Sequence, residues 1–474
     1  MGDRTLRALS YVILGVAVVW MGSRAATNLW DPDLWWHLRL GNEFIAQRSL
    51  ATPPWSSFAT VSWVPTEPAP EILAAYTQRA FGYAGVAWLY GLGCVLVVLT
   101  VQATNRREAA LLPATVATIL FLLPGYGSIT PRPQLVSFVL LPIVLAAWLQ
   151  TDRDLKPRWW LVPLSLVWSV CHGFWFIGAA YGFVFVVGLA LSRRADLRTL
   201  GRLALVPCLS FLIVLLNPAG LRVIGAPLRV GATHSYITEW QRTPLLTAGP
   251  LGALLMVGLT VVLWAVTRTG VTWSRVFVLC SAVFFVWYAE RMVTVGALVA
   301  APLLAGALEA LLARSRGEEP LGGQDRGVRR RELGIMAATG AAYLVVLAVL
   351  VPHTSAEPGR VPLALDSTLD RLPAGTPVFN DYDVGGWLAW RHPDLNQYID
   401  GLSNPYSEEH YAQFHRAETT APGWYAVVEQ SRAPVALVET SGPLAAGLEQ
   451  RGWETVGSDE GWTLLRKPGS AVLG

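Results

Sequence analysis

The sequence predicts a polytopic α-helical membrane protein that ends in a small α/β domain outside the membrane. Of its 474 residues, 53% are hydrophobic and only 15% are charged, whereas soluble domains carry about 25% charged residues. The mean hydropathy is correspondingly high, at +0.42. Long apolar stretches recur up to residue 351, and the chain beyond them is polar. These observations predict a transmembrane domain over 1–351, with an outer loop at 29–83, followed by a second domain over 352–474.

About eleven apolar stretches approach the roughly 20 residues with which an α-helix crosses the hydrocarbon core. They cover residues 8–28, 84–103, 109–124, 133–151, 159–174, 176–191, 203–217, 249–267, 274–289, 292–313 and 333–351. No clear small-residue cleavage site follows the first stretch, so we expect it to remain as an uncleaved span. The transmembrane domain is therefore predicted to be a bundle of about eleven helices.

The basic residues fix the expected orientation. Arginines cluster in alternate loops, and the run Arg329-Arg330-Arg331 closes the last of these loops. Because basic loops stay on the cytoplasmic side, we expect a cytoplasmic N-terminus and an extracytoplasmic C-terminal domain in the inner or plasma membrane. The long loop after the first span then lies on the outer side.

The C-terminal region alternates short strands with helices, which favours an α/β domain. The predicted strands are 377–380, 397–400, 434–439 and 462–466, and the predicted helices are 408–418, 423–431 and 444–451. The pair Gly385-Gly386 suits a tight turn from strand to helix. About 110 residues suffice for a hydrophobic core of its own.

The segment Asp31-Pro32-Asp33-Leu34-Trp35-Trp36-His37 lies directly after the first span and concentrates acids, indoles and an imidazole. Paired carboxylates at the membrane boundary can deprotonate a hydroxyl or hold a divalent cation. An equally simple interpretation is structural: Asp31 caps a short interfacial helix, Pro32 occupies its first turn, and the tryptophans anchor it. From this segment alone, both interpretations remain open.

Further ionisable residues fall at the predicted outer ends of the spans, where burial in hydrocarbon would be costly without a function. The candidates for substrate binding are His37, His172, His234, Glu239, Arg291 and Arg132. The forked guanidinium donors of Arg291 and Arg132 suit a lipid phosphate. Each candidate also has a structural alternative: a histidine bonded between helices, an interfacial helix around Glu239, or an arginine paired with Glu290 or a headgroup.

Two motifs resemble those of a large bacterial group of integral-membrane, GT-C-type glycosyltransferase-like proteins. The first is the order D-P-D-x-W-W-H-L-x-x-G-x-x-I from Asp31, followed by Pro and Ser-Phe, then Trp63 and a downstream Glu. The second runs from Phe379 through Asn-Asp-Tyr-Asp-Val-Gly-Gly-Trp-Leu388, with Tyr398-Ile-Asp-Gly401 and Tyr406 beyond it. The group is distantly similar to protein O-mannosyltransferases and aminoarabinose transferases.

This resemblance implies a polyprenyl-phosphate-linked sugar donor and a glycan, lipid or protein acceptor outside the cytoplasm. An acid of the first outer loop would be the general base, and we favour Asp33, with Asp31 as its partner. If the reaction needs a metal ion, Mg²⁺ or Mn²⁺ on Asp31 and Asp33 is the expected arrangement. One departure stands out: Leu402 follows the Asp-Gly pair where the group is expected to have Arg.

Composition and motifs exclude other classes. A formal charge of +3 is no signature of nucleic-acid binding, and no P-loop, dinucleotide fingerprint or zincin motif is present. Two alternatives to a glycosyltransferase remain. One is a non-catalytic cell-envelope assembly or binding protein. The other is a lipid or glycan transporter, which the absence of a visible internal repeat disfavours.

Overall fold

The structure is a computed structural model that describes residues 3–27, 29–51, 54–60, 63–225, 236–269, 271–317, 326–402 and 405–472. His234, one of the predicted substrate-binding residues, lies outside the described residues. The chain forms two compact units. The first comprises residues 1–27, 87–221 and 238–353, and the second comprises residues 28–86, 222–237 and 354–474.

The first unit is built from apolar helices. They are α1 (Asp3–Ser23), the part of α3 (Pro68–Asn105) from residue 87 onward, α4 (Leu111–Gly125), α5 (Gln134–Asp154), α6 (Leu161–Ser169), α7 (Trp175–Leu191), α8 (Leu197–Leu212), α9 (Ala248–Thr267), α10 (Trp273–Tyr288), α11 (Val293–Arg316) and α12 (Arg326–Thr354). The helix α11 is the most enclosed, since 78% of its apolar window is buried. It packs against α4, α5, α9 and α10.

The membrane prediction is confirmed. Within the described residues, 8 helical segments are long and apolar enough to cross a membrane, and α7 and α10 are shorter apolar helices. The stretch 159–174 differs from its prediction, because α6 has 9 residues and ends at Ser169. Such a helix is about 14 Å long, less than the hydrocarbon thickness of about 30 Å. The number of spans, about eleven, therefore stays a prediction.

A break inside α3 marks where its membrane-crossing part begins. Gly82 has φ +63° and ψ −159°, a conformation that is open essentially to glycine alone. The sequence predicted the span to start at residue 84, two residues after this break. The part of α3 before the break, Pro68–Phe81, is an outer-loop helix of the second unit.

The second unit contains α2 (Pro32–Gln47), the start of α3 and the C-terminal region. The latter holds α13 (Asp366–Leu369), β1 (Pro377–Asn380), α14 (Tyr382–Arg391), β2 (Asn396–Gln397), α15 (Glu408–Glu418), α16 (Trp424–Gln430), β3 (Val435–Glu439), α17 (Pro443–Gln450), β4 (Glu454–Asp459) and β5 (Trp462–Arg466). The strands form one mixed sheet in the order β2-β1-β3-β5-β4. Strand β1 is parallel to β2 and β3, and β5 is antiparallel to β3 and β4. The α/β prediction is therefore confirmed.

Two details of this domain differ from the sequence prediction. The pair Gly385-Gly386 lies inside the helix α14. Glycine is needed there since a Cβ on Gly385 would lie 2.1 Å from the Ile399 carbonyl oxygen. The glycines thus permit close packing of a helix and do not form a turn. Strand β4 was not predicted, since its residues are mostly exposed and lack the alternating apolar pattern of a half-buried strand.

The first outer loop packs with the C-terminal region, whereas the sequence grouped it with the transmembrane domain. The Ser56 hydroxyl donates to the Gln397 carbonyl oxygen at 2.6 Å, and the Thr60 amide donates to the Pro405 carbonyl oxygen at 2.9 Å. Arg39 on α2 donates to the Ala389 carbonyl oxygen of α14 at 2.6 Å. These contacts join segments more than 300 residues apart, which a linear pattern does not reveal.

Candidate functional site

The acidic segment after the first span begins α2. Asp31 is the N-cap residue, in extended conformation, and its carboxylate accepts a hydrogen bond from the Asp33 amide at 2.9 Å. Pro32 occupies the first helical position, where its missing N–H is not needed. The structural interpretation of Asp31 and Pro32 is thus correct, and Asp33 lies in the first turn, where the helix dipole stabilises a carboxylate.

Both motifs that carry the family resemblance meet in the second unit. A Cβ on Gly386 would lie 2.8 Å from the Pro32 carbonyl oxygen, and one on Gly401 would lie 2.5 Å from Trp36 Nε1 and 3.0 Å from Asp33 Oδ1. Any side chain at either glycine would push the start of α2 away. The two glycines therefore bring Asp33 against the Asp400-Gly401 segment, and this contact explains why the motifs occur together.

Leu402 replaces the arginine that the resemblance predicts. Its side chain is 8% exposed and belongs to an apolar cluster with Leu40 and Phe44 of α2. A charged side chain in this position would lose its hydration, and the described residues of the cluster include no carboxylate that could pair with it. The position serves packing in this chain and contributes no cation to a site.

Asp400 is a buried acid beside the same contact. Its carboxylate accepts hydrogen bonds from the Tyr406 hydroxyl at 2.8 Å, the Leu402 amide at 3.0 Å and the Gln397 amide group at 3.2 Å. Burial raises the pKa of Asp400 above its usual value, although these donors act in the opposite direction. These hydrogen bonds hold the Asp400-Gly401 segment, which contacts Asp33 through Gly401.

His37, four residues after Asp33, lies between two glutamates of the outer loop, Glu67 and Glu71. Its Nδ1 is 3.0 Å from Glu71 Oε1, and its Nε2 is 3.8 Å from Glu67 Oε2. Candidate ligand atoms of all three residues lie within 4.8 Å of one another, which suits a metal ion. Among the described residues, this is the one group of three or more His, Cys, Asp or Glu side chains with that geometry. The spacing of four residues between the glutamates was the available sequence signal.

In the first unit, the structure brings together three of the predicted binding residues. Glu239 pairs with Arg132 through Oε2 at 3.0 Å and with Arg291 through Oε1 at 2.7 Å. Burial raises the pKa of the Glu239 carboxyl, but Arg291 and Arg132 outweigh it, and the net pKa is below its usual value. Arg291 thus pairs with Glu239, and the sequence-based alternative of a pair with Glu290 is wrong.

These three side chains line a cavity of about 540 Å³. Its other lining residues are Leu123, Pro124, Tyr126, Gly127, Ser128, Thr130, Gln134, Thr247, Gly249, Pro250, Glu290 and Val293. The lining therefore combines two guanidinium groups with a few apolar side chains. Arg291 Nε is buried without a hydrogen-bond partner.

His172 is fully enclosed in the first unit and is not among the lining residues of this cavity. Its Nδ1 is 2.8 Å from the Ser137 hydroxyl, which also accepts from Trp168 Nε1 at 2.8 Å. The Phe174 amide lies 3.2 Å from the same ring nitrogen. This is the arrangement of a histidine bonded between helices, so its predicted role in substrate binding stays a prediction.

Comparison with solved structures defines the class of the fold. The archaeal oligosaccharyltransferase AglB from Archaeoglobus fulgidus, in complex with an inhibitory peptide and a dolichol-phosphate, matches with a TM-score of 0.59 and 14% identity, over 91% of this chain and 69% of that chain. The same organism's enzyme in complex with Zn and sulfate matches with a TM-score of 0.54 and 15% identity, over 90% and 68%. ArnT from Cupriavidus metallidurans, bound to undecaprenyl phosphate, matches with a TM-score of 0.52 and 15% identity, over 99% and 98%.

The chain therefore has the GT-C fold of membrane glycosyltransferases, and the predicted resemblance is confirmed at the level of the fold. Identities of 14–15% do not carry activity or substrate over to this chain. No protein-family model and no curated protein sequence matches it.

Proposed function

We propose that this chain is a membrane glycosyltransferase that moves a sugar from a polyprenyl-phosphate-linked donor to an acceptor hydroxyl outside the cytoplasm. The observation that carries the proposal is the cavity of the first unit, whose lining includes two arginines and several apolar side chains. Such a lining suits an amphiphile that has an anionic head and a hydrocarbon tail. The presence of polyprenyl phosphates in structures of similar fold supports the same donor class.

The arginines of the cavity suit a phosphate. Arg132 and Arg291 contribute two positive charges, Glu239 pairs with both of them, and Glu290 adds a second carboxylate to the lining. The forked N–H donors of a guanidinium group match the oxygens of a phosphate, so a phosphate that enters the cavity can compete with these carboxylates for the arginines. When the sugar departs, the leaving phosphate gains charge, and arginines already in position stabilise it.

Asp33 is the proposed general base. Since the Asp31 carboxylate is engaged in capping α2, Asp33 is the better placed of the two acids to accept a proton. The acceptor hydroxyl gives its proton to Asp33 while its oxygen attacks the anomeric carbon. The bond from that carbon to the phosphate oxygen breaks, polyprenyl phosphate leaves, and the configuration inverts.

The orientation and the metal requirement belong to the same proposal. The basic loops support a cytoplasmic N-terminus and an extracytoplasmic C-terminal domain. Mg²⁺ or Mn²⁺ on Asp31 and Asp33 remains a prediction. If transfer persists in excess chelator, Asp33 acts without a metal ion. His37, His172 and His234 remain candidates for substrate contacts.

A matched pair of variants tests the base. In Asp31→Asn, the amide oxygen can still cap α2, since Asn and Asp are equally good N-caps. We expect Asp31→Asn to keep transfer within a few-fold, and Asp33→Asn to lose about 10²–10⁴-fold. The measurement is sugar transfer from polyprenyl-phosphate-linked donors in proteoliposomes, with folding checked by gel filtration. Full transfer by Asp33→Asn would rule out Asp33 as the base.

A non-catalytic assembly role is the second candidate, and the capping role of Asp31 favours it because that acid has a structural explanation. It predicts that neither variant changes the phenotype of cells that lack the wild-type protein. The proposed enzyme predicts that Asp33→Asn alone fails to complement.

A further inference from the structure

The outer loop holds His37 between two carboxylates, and no chemical step of the proposed transfer is assigned to these three groups. His37 from α2 faces Glu71, within α3, and Glu67, which directly precedes α3. The three side chains are 5%, 0% and 15% exposed, in that order. Their burial means that the arrangement is fixed by the fold and is not a chance encounter of surface groups.

A second histidine in the same unit shows what an ordinary ion pair looks like here. His392 also faces two carboxylates, with Nδ1 at 2.9 Å from Asp370 and Nε2 at 3.2 Å from Asp366. Both distances are hydrogen bonds. At His37, by contrast, Nδ1 is at 3.0 Å but Nε2 is at 3.8 Å from its carboxylate oxygen, which is too long for a hydrogen bond.

The longer gap fits two ligands of one ion. Two ligand atoms that each lie about 2.1 Å from a metal ion, at a tetrahedral angle, are about 3.4 Å apart. The shorter contact on the other side of the ring has the geometry of a supporting carboxylate, because a metal-binding histidine almost always donates its second N–H to such a group. Glu71 supplies that carboxylate, and its Oε2 is buried without a hydrogen-bond partner.

We propose that His37 Nε2 and Glu67 Oε2 bind a divalent transition-metal ion of the Zn²⁺ type, while Glu71 accepts the Nδ1–H and orients the ring. An imidazole nitrogen with a carboxylate suits Zn²⁺ better than Mg²⁺, which prefers oxygen ligands alone. Two protein ligands leave coordination positions for water or for a substrate oxygen. The ion also provides a positive charge near Glu71, whose buried carboxylate would otherwise be costly.

The fold holds these ligands in place before any ion arrives. Gly41 of α2 lies so close to α3 that a Cβ would be 2.1 Å from the Glu71 carbonyl oxygen and 2.9 Å from the Ala75 Cβ. The Glu71 amide donates to the Glu67 carbonyl oxygen at 3.3 Å, so the two glutamates lie one turn apart. A site on two helices held this closely needs little rearrangement to bind an ion.

The test is metal content, which does not depend on transfer activity. The purified full-length protein in detergent is stripped with chelator, reloaded with Zn²⁺, passed through gel filtration and analysed by mass spectrometry of the elements. We expect about one zinc per wild-type chain. His37→Gln and Glu67→Gln should retain less than a tenth of it, and Glu71→Gln should bind about 10–100-fold more weakly. His392→Gln is the matched control and should keep the full amount.

A wild-type protein without stoichiometric zinc would overturn the proposal, and so would equal zinc in the His37→Gln and wild-type proteins. A loss of zinc in His392→Gln would assign the ion to a different site. If a variant aggregates, the visible absorption spectrum of Co²⁺-loaded wild type serves as the test instead. Ligation by imidazole and carboxylate should shift and strengthen the d–d bands of Co²⁺, and a spectrum identical to that of aqueous Co²⁺ rejects the site. Zinc binding by a protein that transfers no sugar would support the metal site and reject the proposed function. Sugar transfer by a protein that binds no zinc would do the reverse.

Discussion

Two clusters in the first unit have the same composition and different surroundings. At one end of α5, Glu108 pairs with Arg153 at 2.6 Å and with Arg275 at 2.8 Å. Near the other end of α5, Glu239 pairs with Arg132 at 3.0 Å and with Arg291 at 2.7 Å. A helix of 21 residues separates its ends by about 30 Å, so the clusters belong to opposite faces of the helical bundle.

The difference between them lies in exposure and in how the carboxylate is used. The Glu108 side chain is 2% exposed, and one oxygen, Oε2, receives both arginines. The Glu239 side chain is 33% exposed, gives one oxygen to each arginine, and lines the cavity of about 540 Å³. One carboxylate between two arginines is therefore not by itself a binding site. The first cluster joins helices, and the second lines a cavity in which a ligand could meet its arginines.

The largest expected effect is on stability, at the closed cluster. Glu108→Ala removes a buried carboxylate from two arginines and should lower the free energy of unfolding by about 3 kcal/mol, at the lower end for a broken buried pair because Arg153 can reach water. Glu239→Ala, at a half-buried carboxylate that water from the cavity can replace, should cost less, about 1 kcal/mol. Tryptophan fluorescence during thermal unfolding in detergent measures both. Equal losses in the two variants would erase the distinction between the clusters.

The next effect is on ligand binding, at the open cluster. Arg291→Ala should weaken binding of polyprenyl phosphate about 30-fold, corresponding to about 2 kcal/mol for one lost charge-assisted contact. Arg275→Ala is the control and should leave this affinity unchanged. A binding titration in detergent gives both values. Unchanged affinity in Arg291→Ala would remove the arginine from the phosphate site.

A smaller change is expected when the shared carboxylate loses its charge. Glu239→Gln removes the negative charge that competes with a phosphate for the two arginines, so polyprenyl phosphate should bind about three- to five-fold more tightly, or about 1 kcal/mol. Because the arginines hold the pKa of Glu239 below its usual value, the carboxylate stays charged at neutral pH. Weaker binding in Glu239→Gln would show that Glu239 contacts the ligand favourably itself.

Asp381 in the second unit extends the comparison to a buried acid without arginines. Burial, with smaller contributions from the neighbouring acids Glu418, Asp383 and Glu439, raises the pKa of Asp381 to about 7, although the hydrogen bond from the Glu439 amide acts in the opposite direction. The unfolded chain releases this proton near pH 4 and the folded chain near pH 7. Stability therefore falls as the pH rises through this window, and the loss is complete above it.

Asp381→Asn should remove this dependence. The variant should gain on the order of 1–2 kcal/mol relative to wild type between pH 5 and pH 8, after allowance for partial exposure. The amide oxygen can still accept from the Glu439 amide, which now donates to Asp381 Oδ2 at 2.5 Å. Thermal unfolding at the two pH values measures the gain. An identical dependence of the free energy of unfolding on pH in both proteins would show that Asp381 does not cause it.

Local patterns predicted much of the fold. Hydropathy located the apolar helices, Asp31-Pro32 marked the start of α2, and the helix 408–418 has the predicted bounds. These features depend on residues that are neighbours in the chain. Strand β4 has no such signal, because only β5 pairs with it and its side chains face water.

The candidate site was only partly predictable, for a different reason. Arg132, Glu239 and Arg291 were each candidates by chemistry, but their pairing joins residues 52 and 107 positions apart. Likewise, the contact of His37 with Glu71 joins residues 34 positions apart. A single sequence indicates which side chains can do chemistry, whereas the fold decides which of them meet.

The central claim is that the cavity around Arg291 holds a lipid-linked sugar donor. Native mass spectrometry of the protein purified in mild detergent tests it most directly, with wild type, Arg291→Ala and Arg275→Ala side by side. We predict a co-purifying polyprenyl-phosphate sugar in wild type and in Arg275→Ala, and its loss in Arg291→Ala. The same lipid-linked sugar bound equally to all three proteins would contradict the account.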